Sequence, residues 1–188
     1  MDCSVTRTTI LSVLATAGVA VALTAAAAPA SNAPRPQRPA CEQSAADLRR
    51  YLTAVLPVAT RIDLERRRAV KATGAHEATG ADDAAALLRQ ARRRLFAAEA
   101  SAARVRPPVE LRGPHSALGQ ASRLAVSAAG RLAAQIEYGK ADARAIANFR
   151  RSFARVLVLE RHFKDELTAQ LRRAGIVVPL RLKDLAVH

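Results

Sequence analysis

Tryptophan is absent from this 188-residue chain, and only two tyrosines and four phenylalanines are present. So few aromatics offer no stacking platform for single-stranded nucleic acid. They also argue against a sandwich or barrel, whose strands favour aromatic and β-branched residues. Cysteine is scarce: Cys3 and Cys41 cannot staple a small scaffold twice, and no Cys-x-x-Cys-His haem attachment exists. The one methionine is Met1, which leaves no thioether ligand inside a folded body. Eight glycines never gather into a loop ending in Gly-Lys-Ser/Thr, so a phosphate-cradling loop is missing. Acidic residues number 16 against 30 lysines and arginines, which sets the formal charge at +14.

Alanine and arginine fill the space. There are 44 alanines, and 26 of the 30 cations are arginine. Alanine is the strongest helix former and a poor strand residue, so composition favours an all-α fold. Ala-plus-Arg bias also follows from GC-rich coding, but the physical result is the same. The surface is strongly positive and attracts polyanions such as nucleic acid, anionic lipid or wall polymer.

The first thirty residues have the layout of a secretory signal peptide. Arg7 precedes an uncharged run from Ile10 to Ala28, and Ala28-Pro29-Ala30 sets small residues where a signal peptidase reads. The run is 19 residues, nearly the length of a membrane span, but it is rich in Ala, Thr and Gly. Cleavage after Ala30 is therefore favoured over an uncleaved anchor. Residues 31–43 begin SNAPRPQRPA, whose three prolines read as an extended tether. Cys41 lacks a branched aliphatic three places before it, since Arg38 stands there, so it is not read as a lipoprotein cysteine. It is left for a free thiol or an intermolecular disulfide.

Residues 44–175 read as four helices. Ser44 to Asp47 resembles a capping box, and Leu48, Leu52, Val55, Ala59, Ile62, Arg66 and Ala69 then recur at alternating spacings of four and three. That helix is expected to reach about Ala72, kinked at Pro57, with a loop over Thr73–Ala81. Asp82 and Asp83 open the second helix, with its stripe at Leu87, Ala91, Leu95, Ala98 and Ala102. Pro107-Pro108 ends it. The third follows from near Val109, with Leu111, His115, Leu118, Ser122, Ala125, Ala129, Leu132 and Ile136 on one face, and stops at Tyr138-Gly139. Asp142 opens the fourth and longest, which carries Ile146, Phe149, Phe153, Val156, Glu160, Phe163, Leu167 and Leu171 and closes at Gly175. Residues 176–188 form a short extended arm laid on the rest. The expected architecture is an all-α, up-down-up-down four-helix bundle, with an N-terminal signal peptide and a C-terminal arm.

The segment Pro107-Pro108-x-x-Leu111-x-x-x-His115-x-x-Leu118 resembles a pattern in exported bacterial helical proteins of unassigned function. The resemblance covers about a dozen residues. It implies an exported helical protein and no particular activity.

Catalytic motifs are missing. Ser127 lacks the flanking glycines of a nucleophile elbow, and His76-Glu77 meets Gly80 where a zinc protease needs its second histidine. No Glu-x-x-His pair suggests a di-iron site. His162 and Glu166 share a helix face, a spacing common by chance. No enzyme activity, metal or cofactor is expected. Three polar residues fall on apolar stripes. His115 is expected to bond a backbone carbonyl or Tyr51. Arg66 is expected to reach water with its stem packed. Glu160 needs an arginine from another helix, Arg61 or Arg92 being candidates, or a place at the edge of the seam.

In an up-down-up-down arrangement Arg49, Arg50, Arg104, Arg106, Arg112, Arg172 and Arg173 collect at one end, a candidate anion-binding surface. The expectation is a non-catalytic exported interaction module whose partner is an anionic polymer or a membrane surface. A metal- or ligand-holding bundle and a nucleic-acid-binding protein are the alternatives. No specific nucleic acid is implied, and the oligomeric state is left open.

Overall fold

A computed structural model of the protein describes residues 40–79 and 81–186, with side chains over 44–74 and 82–186. The expected signal peptide, residues 31–39 of the expected tether and the side chain of Cys41 lie outside the described residues, and residues 40–43 of the tether are helical. Within them the fold is all-helical, a helical bundle with no strand. Four long helices are α1 (Ala40–Thr79), α2 (Ala81–Arg104), α3 (Arg112–Glu137) and α4 (Ala143–Arg173), and a short α5 spans Leu180–Lys183. A 3₁₀ turn at Val109–Leu111 links α2 to α3 after the Pro107-Pro108 pair.

Two helix boundaries differ from the sequence expectation. α1 begins at Ala40, ahead of Ser44, and runs past Ala72 to Thr79, so the loop expected over Thr73–Ala81 is mostly helix. Ala72 and Thr73 are buried, and Thr73 Oγ1 donates to the Val70 carbonyl at 2.7 Å. Burial on that face outweighs the roughly 1 kcal/mol that Gly74 costs inside a helix. The remaining ends follow their local chemistry. Asp142 caps α4, its carboxylate accepting from the Ala145 amide at 2.7 Å. α3 and α4 end in the same motif. Gly139 and Gly175 adopt φ of 64° and 65°, while the Lys140 amide reaches the Gln135 carbonyl and the Ile176 amide the Leu171 carbonyl.

The core is alanine-rich. Phe163, Ile62, Leu88, Leu95, Leu118, Leu132, Leu167 and Leu171 supply its bulk, and Phe149 stacks on Phe153 at 4.3 Å between ring centroids. The rest is mostly methyl groups: α3 presents Ala117, Ala121, Ala125, Ala128, Ala129 and Ala133 to the interior. Small faces let backbones approach. Ser122 Oγ on α3 donates to the Leu95 carbonyl of α2 at 3.2 Å, and a Cβ added at Gly130 would lie 3.0 Å from the Arg92 side chain. Of the expected α2 stripe, Ala91, Leu95, Ala98 and Ala102 are buried, and only its first member differs. Leu88 is fully buried and Leu87 is 46% exposed.

α2 and α3 run antiparallel. Arg89 pairs with Glu137 at one end, and Glu99 lies 3.8 Å from Arg123 towards the other. Beyond Gly175 the chain turns back along α4. Lys164 Nζ donates to the carbonyls of Lys183 (2.6 Å) and Leu185 (2.8 Å), Arg161 to that of Ala186 and Arg67 of α1 to that of Asp184. Leu182, Leu185 and Ala186 are buried as a result. Among the described residues no helix is long and apolar enough to cross a membrane.

Candidate functional site

Three features of the bundle carry charge or polar chemistry. The first is a buried ion cluster between α1 and α4. Arg66 Nε donates to Glu160 Oε2 at 2.8 Å, and Arg66 Nη2 donates to Asp63 Oδ1 at 2.5 Å. Arg67, on the rim, reaches the other oxygen of Asp63 at 2.7 Å. Arg66 and Glu160 are each only 4% exposed. This corrects the expectation for Arg66 and, for Glu160, meets the expected arginine from another helix with a different partner. Arg66 does not escape to water, because α1 continues for three more turns beyond it. Glu160 pairs with Arg66, while Arg61 and Arg92 are exposed and Arg92 lies across Gly130.

Glu160 is the strained member. Its Oε1 is buried without a hydrogen-bond partner. Burial pushes its carboxyl up to about 7, opposed by the Arg66 charge and reinforced by Asp63. Next to Arg66 on α1, Glu65 is also buried and accepts from Arg68 at 2.6 Å and from Arg94 of α2 at 3.3 Å. Sequence reasoning missed Asp63 and Glu65. The available signal was their spacing: Asp63–Arg66 and Glu65–Arg68 are both three apart on a helix, where opposite charges meet.

The second feature ties α1 to α3. Tyr51 and His115 meet edge to face, with Tyr51 Oη 3.0 Å from His115 Nδ1. The histidine also bonds the backbone of Ala102. Tyr51 Oη thus shares a hydrogen bond with a ring that also meets the Ala102 backbone. Burial lowers the His115 pKa, partly offset by the Ala102 bond, and burial raises that of Tyr51. Held by Tyr51 and by the Ala102 backbone, His115 works as a clamp between helices. Among the described residues no group of three His, Cys, Asp or Glu side chains is arranged to hold a metal ion.

The third feature is the arginine set. Arg49, Arg50, Arg104, Arg106, Arg112, Arg172 and Arg173 are all exposed. The Tyr51–His115–Ala102 contacts put a point about three turns into α1, the end of α2 and the start of α3 at one level, bringing the first five arginines to the same region of the bundle. Arg172 and Arg173 close α4. Arg50 pairs with Asp47, and the other six have no carboxylate partner among the described residues. No protein-family model matches the chain, and no curated protein or solved structure matches it either.

Proposed function

We propose that this protein is an exported, non-catalytic, up-down-up-down four-helix bundle that binds anionic envelope material through its basic end. One observation carries the reading. Seven arginines are exposed, four at the ends of α2, α3 and α4, one in the α2–α3 link and two in the third turn of α1, and six of the seven lack a carboxylate among the described residues, in a chain of net charge +14. Unpaired guanidinium groups are suited to phosphate and carboxylate, which they grip with two parallel hydrogen bonds. The N-terminal layout and the Pro107–Leu118 resemblance support export. The polar groups with shifted pKa values support a structural role, since each is engaged by another helix.

Co-sedimentation with phosphatidylglycerol and phosphatidylcholine vesicles tests the reading. Binding to the anionic vesicles alone is expected, and it should collapse with salt. For about six phosphate contacts the loss between about 50 and 200 mM is on the order of a thousandfold. Salt-independent binding, or equal binding to both vesicles, would overturn the electrostatic mechanism. Export is tested by sequencing the native N-terminus, expected at Ser31 outside the cytoplasm. An intact chain retained in the cytoplasm overturns it.

A further inference from the structure

A groove of about 860 Å³ runs along the outer face of α1, bounded by α2 on one side and the C-terminal arm on the other. Its volume falls in the range of small-molecule sites, about 300–1,000 Å³. The lining is mostly apolar: Leu52, Leu56, Pro57 and Leu64 of α1, Ala97 of α2 and Pro179 of the arm. From Leu52 to Arg68 the groove follows about 24 Å of helix, enough for an extended acyl chain.

Its charges are unbalanced. Arg61, Arg68, Arg94 and Arg181 line it with a single carboxylate, Glu65. Glu65 is already bound by Arg68 and Arg94, whereas Arg61 and Arg181 are exposed and without a carboxylate partner among the described residues. Beside the groove, Val177 and Leu180 are 87% and 73% exposed on the same arm that supplies Pro179 and Arg181. An apolar trough with surplus guanidinium and an apolar lip is complementary to a molecule that is anionic at one end and aliphatic along its length. We infer that this groove binds a single-chain anionic amphiphile, its carboxylate or phosphate head held by Arg61 and Arg181 and its chain laid on Leu52, Leu56 and Leu64. The site uses none of the seven candidate anion-binding arginines and stands or falls independently of them.

Titration of the purified full-length protein with dansyl-undecanoate, a fluorescent fatty acid kept below its micelle-forming concentration, tests this. Saturable, blue-shifted emission is expected. Hexadecanoate and hexadecyl phosphate should both displace the probe; if only one does, it identifies the head group. Hexadecanol and inorganic phosphate at the same concentration should not. Arg61→Gln with Arg181→Gln, and separately Leu64→Asp, should each weaken binding roughly tenfold with the helical circular dichroism unchanged. Replacing Arg104, Arg106 and Arg112 with Gln should leave it unaltered. Displacement by hexadecanol overturns the arginine role, and displacement by inorganic phosphate overturns the apolar one. Loss of binding in the basic-end variant moves the site elsewhere. Absence of saturable binding overturns the inference outright. So does a dimer that Leu64→Asp converts to monomer, since the occupant would then be a second copy of the chain.

Discussion

Glu160→Gln isolates the buried carboxyl between α1 and α4. Glutamine keeps the shape and an oxygen for Arg66 Nε to donate to, but it has no proton to lose. In the folded chain the Glu160 carboxyl is raised from its ordinary 4.5 to about 7 by burial. Between those two values the folded protein holds a proton that the unfolded chain has released. Stability from this group is therefore full at low pH and declines as pH rises through about 7. At about 1.4 kcal/mol for each tenfold change in proton affinity, the decline comes to about 3 kcal/mol. Urea unfolding followed by far-ultraviolet circular dichroism, on both proteins over that pH range, gives the difference curve. The Gln variant should gain about 3 kcal/mol on the parent as pH rises from about 4.5 to above 7. A flat difference refutes the burial argument. A variant that loses ground as pH rises means that the Arg66 pair outweighs burial and the carboxyl is ionised throughout. Arg66→Met is the complementary perturbation: it leaves Glu160 buried without its cation and Asp63 with Arg67 alone, and should cost about 3–5 kcal/mol at neutral pH.

Phe163, 1% exposed among the α4 core residues, should lose about 3–5 kcal/mol on change to Ala, seen as a lower urea midpoint with unchanged slope. Tyr51→Phe removes the hydroxyl hydrogen-bonded to His115 and should cost about 1 kcal/mol. Because the folded His115 pKa is lowered, its contribution is present above its ordinary 6.5 and is lost as pH falls below that value; His115→Gln should remove this acid-side decline in the unfolding curves. Asp142→Ala deletes the α4 cap and should cost about 1 kcal/mol, with amide exchange accelerating first at Ala145, whose amide the carboxylate accepts.

The four long helices were legible where bulky residues mark a face. On α4 the run Phe149, Phe153, Val156, Phe163, Leu167 and Leu171 is buried as its spacing requires. On α2 two adjacent leucines fit the same alanine stripe, and only packing chooses Leu88 over Leu87. The end of α1 was misread because Gly74 and Gly80 look like loop punctuation, while alanines between and around them favour helix. That error carried into the charge reading. An arginine near a helix end can reach water, but Arg66 stands thirteen residues from the end of α1 at Thr79 and is enclosed. Glu160 was legible as a residue needing a cation, but its partner lies 94 places away in the sequence and is fixed only by how α1 and α4 align. The Tyr51–His115 contact was among the expected pairings because a histidine on an apolar stripe needs a polar partner. The groove was not legible, since the path of the arm that walls it is set in part by contacts to backbone carbonyls, which carry no side-chain signature.

The alanine faces of the core have a consequence for register. Methyl-lined rods present few knobs and holes, so neighbouring helices could slide by a turn with little change in buried area. The Asp63–Arg66–Glu160 triplet resists that: one turn of slippage would leave ions facing methyl groups. Between α1 and α4, whose buried faces also carry Tyr51, Ile62, Phe153 and Phe163, the buried ions add a charge-matched notch to the register that side-chain shape sets.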